Sequence, residues 1–545
     1  MSYQTARWQS LGSNSKTGVF SEGYVDNTPN LYLPDGASPY LRNVRLDGNT
    51  AVIRKGHELL SNLISTSRGM WIGAYLRSNS ANDRLVVREN AALNYGLVLY
   101  NIDWTRAQIL TNTNIVSNKR MCFINVADVM YCMNGSDKFW KLSGSTYSIP
   151  ANVPTDFAPA FWVVFNGCLW CSGWSANPNI VYKSLWGIYD NSGKFIAPAY
   201  DDFTTTGSDQ FTFEETITGL CANAQALFYF TKNTVSVTGQ SDIETVQISN
   251  GGSRVSYTTS VLTVKEWSIN HWGIVGVGND VYYITPSNKI CKIHRGSNIY
   301  GYEVQEISSR KYAGCDELMK SLDKDQSDCW GYYIPNEDII KWFFKSKGSS
   351  VHDICVVYDV DKDKFLVDTG ELYYDGTNFK GRVYALSEVE PKLYEDEAGL
   401  DDDDSPIPFE YWTKEFYISD PSFKKIFWEL RTVVDINLNA RLKQEVWVDE
   451  RLIDTKEIKI WVDWVGWIGT FAIGTSMVWV DIEADAFQDD LDYTEAIIMR
   501  TKGNLNVRGR KIQVRFSNSE VWSKVRLKYL SCKSEILPEL TNSLT

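Results

Sequence analysis

The chain has 545 residues, 43% of them hydrophobic, with 67 acidic against 54 basic side chains and a formal net charge of −13. That length has room for two to four domains of about 100–200 residues each. So acidic a balance excludes a sequence-specific nucleic-acid reader, whose affinity rests on phosphate contacts, but it suits a passage along which DNA slides without sticking. Aromatics reach 13%, with 20 Trp and 30 Tyr, while Met is scarce at 8. Such residues favour half-buried β surfaces and interfaces, so the composition argues for strands over helices.

The first 60 residues read as an extended arm. Asn27 to Gly56 is punctuated by Pro and Gly and ends in a short basic strand pair, with Arg42, Arg45, Arg54 and Lys55 around an Asp47-Gly48-Asn49 turn and a return through Ala51-Val52-Ile53. Leu31, Tyr32, Leu33, Tyr40, Leu41, Val44 and Leu46 are too apolar for a disordered tail. The arm is expected either to lie across the outside of the body or to supply a strand that closes it.

From about residue 61 to 400 short hairpins recur at intervals of roughly 40 to 60 residues. Val129-Met130-Tyr131-Cys132 turns at Asn134-Gly135 into Phe139-Trp140-Lys141-Leu142, a strong hairpin signal. Leu227 to Phe230 turns at Lys232-Asn233 into Thr234 to Val237. Val281 to Ile284 turns at Pro286-Ser287-Asn288 into Ile290 to Ile293, and Val356 to Asp359 turns into Phe365-Leu366-Val367. Arg84 to Arg88, Gly167 to Ser184, Cys329 to Ile334 and Arg382 to Leu386 add further members, and the two hairpins within 329–367 read as one blade. Four-stranded sheets at this interval, with no strong helices between, predict an all-β fold, a β-propeller of six (or seven) blades, because each small sheet needs a neighbour on both faces.

An acidic run, Glu395 to Asp404, followed by Ser405-Pro406-Ile407-Pro408 marks a boundary, with residues 401–408 as a solvated linker. Longer alternating strands follow: Phe409 to Ile418, Lys424 to Val434, Asn439 to Asp449, Ile458 to Val462, Lys511 to Phe516 and Val525 to Leu530. They predict a β-sandwich-like domain over 409–545. Its Trp-rich insertion, Trp461 to Asp492, reads either as a long hairpin packed on the sandwich or as an intersubunit contact.

The chemistry-bearing residues are sparse. Cys168 and Cys171 form a CxxC without a second pair, on a strand, and the ten cysteines read as buried, reduced and apolar. His57, His271, His294 and His352 form no metal-ligand spacing. Gly251-Gly252 and Gly276-Val277-Gly278 suit turns or strands, not a dinucleotide cradle. Asp359 to Asp363 fits a hairpin turn better than a calcium loop, and Asn134 to Asp137 occurs once where a sialidase-like propeller repeats its motif. No catalytic, cofactor-binding or metal residue is expected, and the chain is expected not to be an enzyme. No secretory signal and no apolar run near 18 residues is present, so synthesis in a cytoplasm without a membrane anchor is expected.

Five passages in order resemble the β-propeller nozzle or hub proteins of short-tailed bacteriophages, the tail tubular protein B group and its packaged-DNA-stabilising relatives. They are SPYLRNVRLDGNTAVIRKG, with Pro39, Arg42, Asn43, Arg54 and Gly56; VVFNGCLWCSGWSANPNIVYKS, with Asn166-Gly167, Leu169-Trp170, Pro178 and Tyr182-Lys183-Ser184; Ile217 to Gly239; Ile274 to Ile290; and Asp401 to Leu430, with Thr413 and Lys424-Lys425. The chain lacks the length for the large tip insertions of the bigger nozzles. The resemblance implies a virion tail protein, assembled in the host cytoplasm into a ring, usually a hexamer, below an adaptor ring and the portal. It implies contacts with an adaptor of the tail tubular A kind and with tail fibre or tail-tip proteins. Double-stranded DNA is held in the joined channel and then passed without sequence-specific binding. The alternative is a carbohydrate-binding or glycan-degrading propeller used in host-receptor recognition. Deletion of residues 1–40 is expected to leave a soluble folded propeller that no longer enters particles.

Overall fold

The computed structural model describes residues 7–10, 20–62, 71–88, 97–101, 103–110, 115, 119–126, 128–185, 188–189, 195–197, 199–204, 209–239, 243–247, 253–257, 259–264, 266–297, 301–311, 313–417, 421–437, 440–459, 471–473, 476–478, 497–501, 505, 507–521 and 523–537. The Trp-rich insertion lies outside the described residues, apart from a short hairpin, Phe471–Ile473 with Ser476–Val478.

The described chain is all-β and propeller-like. Its one α-helix is the short Asp316–Ser321. Seven four-stranded antiparallel sheets follow one another along the described chain. Sheet I runs Trp71–Tyr75, Arg84–Arg88, Leu97–Tyr100, Arg106–Leu110; sheet II Cys122–Val126, Val129–Met133, Trp140–Ser143, Thr146–Ser148; sheet III Phe161–Phe165, Cys168–Ser172, Ile180–Lys183, Asp209–Thr212. Sheet IV runs Ile217–Ala222, Ala226–Thr231, Thr234–Gly239, Ser260–Val264; sheet V Val275–Val277, Asp280–Ile284, Ile290–Arg295, Tyr302–Glu306; sheet VI Trp330–Ile334, Ile339–Phe344, Ile354–Asp359, Lys364–Thr369. Sheet VII takes Tyr373–Phe379, Arg382–Ser387 and Lys392–Asp396 from this region, and its fourth strand, His57–Asn62, from the other end of the chain.

The first strand of each sheet lies against the first strand of the next, and that of sheet VII returns to that of sheet I. The order is therefore cyclic. Separate apolar cores fill the gaps, for example Trp71, Val86, Met130 and Trp140 between sheets I and II, or Phe228, Phe230, Tyr283 and Ile293 between IV and V. Each sheet thus buries both faces, which a lone four-stranded sheet cannot do. The inner strands pack closely, and five of the seven contain glycine (Gly73, Gly219, Gly276, Gly331, Gly376). A Cβ on Gly73 would come within 2.5 Å of Phe123 Cβ and Cγ on the adjacent inner strand.

Two larger sheets complete the chain. One joins Tyr40–Arg42, Phe409–Trp412, Ile512–Asn518, Arg441–Val448 and Arg451–Lys459; the other contains Ile497–Thr501, Lys425–Ile436, Val525–Ile536, Thr50–Ile53 and Val44–Asp47. They share a core of Phe427, Leu430, Val434, Leu442, Val446, Val514 and Phe516. Within it Thr432 Oγ1 donates to Gln444 Oε1 at 2.9 Å, from one sheet to the other. The arm therefore contributes strands to both larger sheets and the last strand of the cyclic array.

Candidate functional site

One mouth of the cyclic array opens into a cavity of about 590 Å³. Its walls include residues at or just ahead of the inner strands, among them Trp71, Arg120, Trp272, Asp328 and Tyr374, and His352, just ahead of the third strand of sheet VI. Arg120 fills its depth. The guanidinium carbon lies 5.7 Å from the Trp71 ring, 5.2 Å from Trp272 and 5.4 Å from Trp330, close enough for cation–π attraction. It also forms an ion pair with Asp375, whose other oxygen accepts from the Ile72 N–H at 3.0 Å. Burial raises the Asp375 carboxyl, against the opposing pull of Arg120.

His352 lies on the cavity wall and is buried. Glu388 Oε2 accepts from its backbone N–H at 2.7 Å and stands 2.9 Å from its Nδ1. Nε2 is 3.7 Å from Asp328 Oδ1, beyond hydrogen-bond distance. Burial opposes protonation of the imidazole, but Asp328 and Glu388 outweigh it and raise its pKa.

A second constellation lies where the arm meets sheets VI and VII. Arg54 is enclosed: Nη1 and Nη2 donate to Asp402 Oδ1 and Oδ2 at 3.0 and 2.6 Å, Nε donates to Asn43 Oδ1 at 3.0 Å, and Glu371 is 3.3 Å away. Arg45 grips Asp368 with both Nη atoms, at 2.9 and 2.7 Å, and pairs with Glu397. Lys341 Nζ sits among Glu371, Asp396 and Glu397 at 2.9, 2.8 and 2.9 Å. These three carboxylates converge as a cation site would, but the Lys341 ammonium already stands at their focus. His57 Nδ1 adds a contact with Asp402 at 3.2 Å.

The acidic run is thus not the solvated loop expected from its composition. Asp396 and Asp402 are buried, because each meets a cation carried by a distant part of the chain. Within the run only Gly399 and Asp404 are exposed.

Five carboxylates here face three permanent cations. Burial lifts Glu371 to about 8, against the pull of Lys341 and Arg54. Glu397 goes the other way: despite burial, Arg45 and Lys341 hold it down to about 2. The contribution of Glu371 to stability is therefore complete below its ordinary value and lost as the pH rises through about 8. That of Glu397 is present above its ordinary value and lost as the pH falls towards about 2. Thermal unfolding of the intact chain should show a Tm that falls as the pH rises from the ordinary carboxyl range to about 8, with up to about 1.4 kcal/mol lost per pH unit, and no further fall from this group above 8. Glu371→Gln should flatten that fall below pH 8, and an unchanged slope in this variant would acquit Glu371.

Gly56 sits under this junction. A Cβ there would overlap the Asp401 carbonyl, and the Gly56 carbonyl accepts from the Ala398 N–H at 2.9 Å. Gly56→Ala is expected to prise the acidic segment away and lower Tm by several degrees. Limited proteolysis should then cut near residue 400, and a wild-type digestion pattern would count against the contact.

The other candidates are scattered. Cys168 and Cys171 occupy different cores, one between sheets III and IV, the other between II and III, so their thiols do not converge. Burial pushes Cys168 up to about 11. His271 stacks on Phe161, ring centroids 4.7 Å apart, and burial drives it down to about 3. His294 is on the third strand of sheet V, opposite Glu303. Asp359 accepts from the Lys362 N–H at 2.9 Å within the turn of a sheet VI hairpin. Gly276 and Gly278 belong to another hairpin, and Gly251-Gly252 lies outside the described residues. Asn134 and Asp137 form a tight local turn, with Asn134 Oδ1 accepting from the Ser136 and Asp137 N–H groups at 3.0 and 2.8 Å. Lys55 pairs with Glu337 at the surface, and Arg42 lies over the Tyr40 ring. No described helix is long and apolar enough to cross a membrane. Sequence reasoning did not single out Arg120, Trp71 or Trp272, which lie outside any local motif.

No family model matches the chain, and no curated protein matches it in sequence. Among solved structures it is similar to YCF48 from Cyanidioschyzon merolae, at 9% identity and a TM-score of 0.37, over 63% of this chain and 98% of that one. A computationally designed protein, Ika8, gives 10% identity and 0.33 over 62% and 98%. PorZ, a surface component of the type-IX secretion system of Porphyromonas gingivalis, gives 9% and 0.35 over 68% and 44%. Likeness at this level assigns no function.

Proposed function

We propose that the seven cyclic sheets are the blades of a seven-bladed β-propeller, that the two larger sheets form a β-sandwich, and that the chain is a non-catalytic structural protein of a bacteriophage tail. In this reading it is one subunit of a hub or nozzle ring, a hexamer below the adaptor and portal. It resides in the virion after assembly in the host cytoplasm, and it contacts the adaptor and the fibre or tip proteins. The family comes from the five sequence passages. The structural observation that carries the reading is the path of the arm, which strands together both bodies and locks them through buried ion pairs, an arrangement suited to bearing load. The blade axis is closed by Arg120 among its tryptophans. A duplex whose major groove alone is about 12 Å wide therefore passes between copies rather than through a wheel, and the net charge of −13 disfavours sticking.

The test is native mass measurement and electron microscopy of the intact chain, alone and with purified adaptor and portal rings. A sixfold ring, formed alone or only on the adaptor, is the expected result. A monomer that ignores the adaptor and binds glycans would overturn it. That second outcome is the carbohydrate reading, which one observation favours: the aromatic walls of the axial cavity.

A further inference from the structure

The axial cavity is unusually rich in N–H donors. Trp71 Nε1, Trp272 Nε1, Arg120 Nε and His352 Nε2 are all shielded from solvent and have no acceptor among the described residues. Trp71 and His352 are 3% and 1% exposed. A buried donor without an acceptor costs about 1–3 kcal/mol, so several around one space call for something that accepts. Two acceptors on the wall, Asn134 Oδ1 and Asp328 Oδ2, already have partners: the first serves its own turn, and the second holds Lys345. With His352 Nδ1 against Glu388 Oε2, Nε2 carries a proton in the imidazolium form, the form that Glu388 and Asp328 favour. Beyond the donors the wall is aromatic on one side, from Trp71, Trp272 and Tyr374. On the other it is bare, since Gly135, Ala160 and Gly173 contribute almost no side chain. A Cβ on Gly173 would press on Ala160 and Phe161, so a larger residue there would displace this side of the wall.

The volume, about 590 Å³, is that of a small-molecule site and exceeds what a lone ion fills. We propose that this cavity binds a small carboxylate carried on a six-membered ring, the carboxylate received by the N–H groups of His352, Trp272 and Trp71 and the ring laid against the aromatic wall. Uronic acids and aromatic acids share that chemistry. The inference is independent of tail assembly, which is read without any ligand, and it is narrower than the carbohydrate reading, which asks for no charge.

The experiment is calorimetric and tryptophan-fluorescence titration of the intact chain with glucuronate, benzoate, glucose and acetate. Glucuronate or benzoate should bind at least tenfold tighter than both glucose and acetate, and whichever of the two binds identifies the source of the ring. Trp272→Phe, which keeps the ring and removes the N–H, and His352→Gln should each weaken binding about tenfold, the equivalent of about 1.4 kcal/mol. Their melting curves would verify that both variants fold. Three results would overturn the proposal. Glucose binding as well as glucuronate would leave a neutral-sugar site. No heat from any ligand at about 1 mM would leave a water-filled cavity. Binding untouched by both substitutions would place the ligand elsewhere.

Discussion

Replacing Arg54 by methionine is expected to destabilise the protein by about 3–5 kcal/mol, the usual consequence of taking one partner out of a buried ion pair. Arg54 is 1% exposed and organises its surroundings in three directions. It holds Asp402 through both oxygens, caps the Lys55 carbonyl at 2.8 Å, and steadies Asn43. Asn43 in turn accepts from the Thr369 N–H at 2.9 Å and donates to the Pro408 carbonyl at 2.7 Å. Asn43 has φ near +56°, a strained setting kept by these bonds. Removing the guanidinium leaves five carboxylates facing two permanent cations. Lysine would not restore the site, since it lacks the planar fork that Asp402 meets. Urea unfolding of Arg54→Met, Asp402→Asn and the double variant measures the coupling directly. The double variant should recover much of the loss, because neither buried charge is then left alone. A single-variant loss under about 1 kcal/mol would mean that water reaches the junction and screens it.

The same junction shows what was legible in the sequence. Both halves were visible: the basic strand pair at Arg45 and Arg54, and the acidic run before Pro406. Their union was not, because more than 300 residues separate Arg54 from Asp402, and neither run marks its partner. Local hairpins were readable wherever two strands of period two flank a short turn, as at 226–239, 280–295 and 354–369. Sheets III and IV were harder. Their fourth strands, Asp209–Thr212 and Ser260–Val264, follow excursions that carry hairpins of their own. The closing strand, His57–Asn62, has no neighbour in sequence; one of the two expectations for the arm, that it supplies a strand that closes the body, allowed for it, though not for its pairing with Lys392–Asp396. The hairpin that turns at Asn134-Gly135 pairs Val129–Met133 with Trp140–Ser143 as its sequence suggests, but nothing in that sequence shows that its loop brings Gly135 to the axial cavity. That cavity draws residues from six of the seven sheets and their inner edges, and no spacing rule connects them. The repeated glycine within the inner strands signals their close packing, not the cavity.

Deletion of residues 1–40 should do more damage than the arm's extended, Pro-punctuated sequence suggests. Reading the arm as an appendage predicts a soluble folded propeller that fails only in assembly. The structure corrects this, because the removed segment carries core. Phe20 is fully buried, edge-on to Tyr411 at 5.2 Å and to Phe516 at 6.3 Å, and Tyr24, Val25, Leu33 and Ala37 are buried with it. At about 1.5–3 kcal/mol for each large side chain, the loss approaches the whole stability of an ordinary domain, about 5–15 kcal/mol. Polar ties go as well. Asp26 accepts from the Glu317 and Leu318 N–H groups at 3.1 and 2.6 Å, Ser38 donates to the Trp412 carbonyl at 2.7 Å, and Glu22 pairs with Lys364. These contacts reach sheet VI and one of the larger sheets at once, so the deletion uncovers apolar surface on both. The expected product is insoluble, or a chain whose two larger sheets exchange amide hydrogens freely while sheets I to IV, which none of these contacts reaches, stay protected. Hydrogen exchange by mass spectrometry on refolded material distinguishes the two bodies. Full protection of Lys425–Ile436 and Val525–Ile536 in the truncated chain would show that the arm is dispensable to the fold and serves assembly alone.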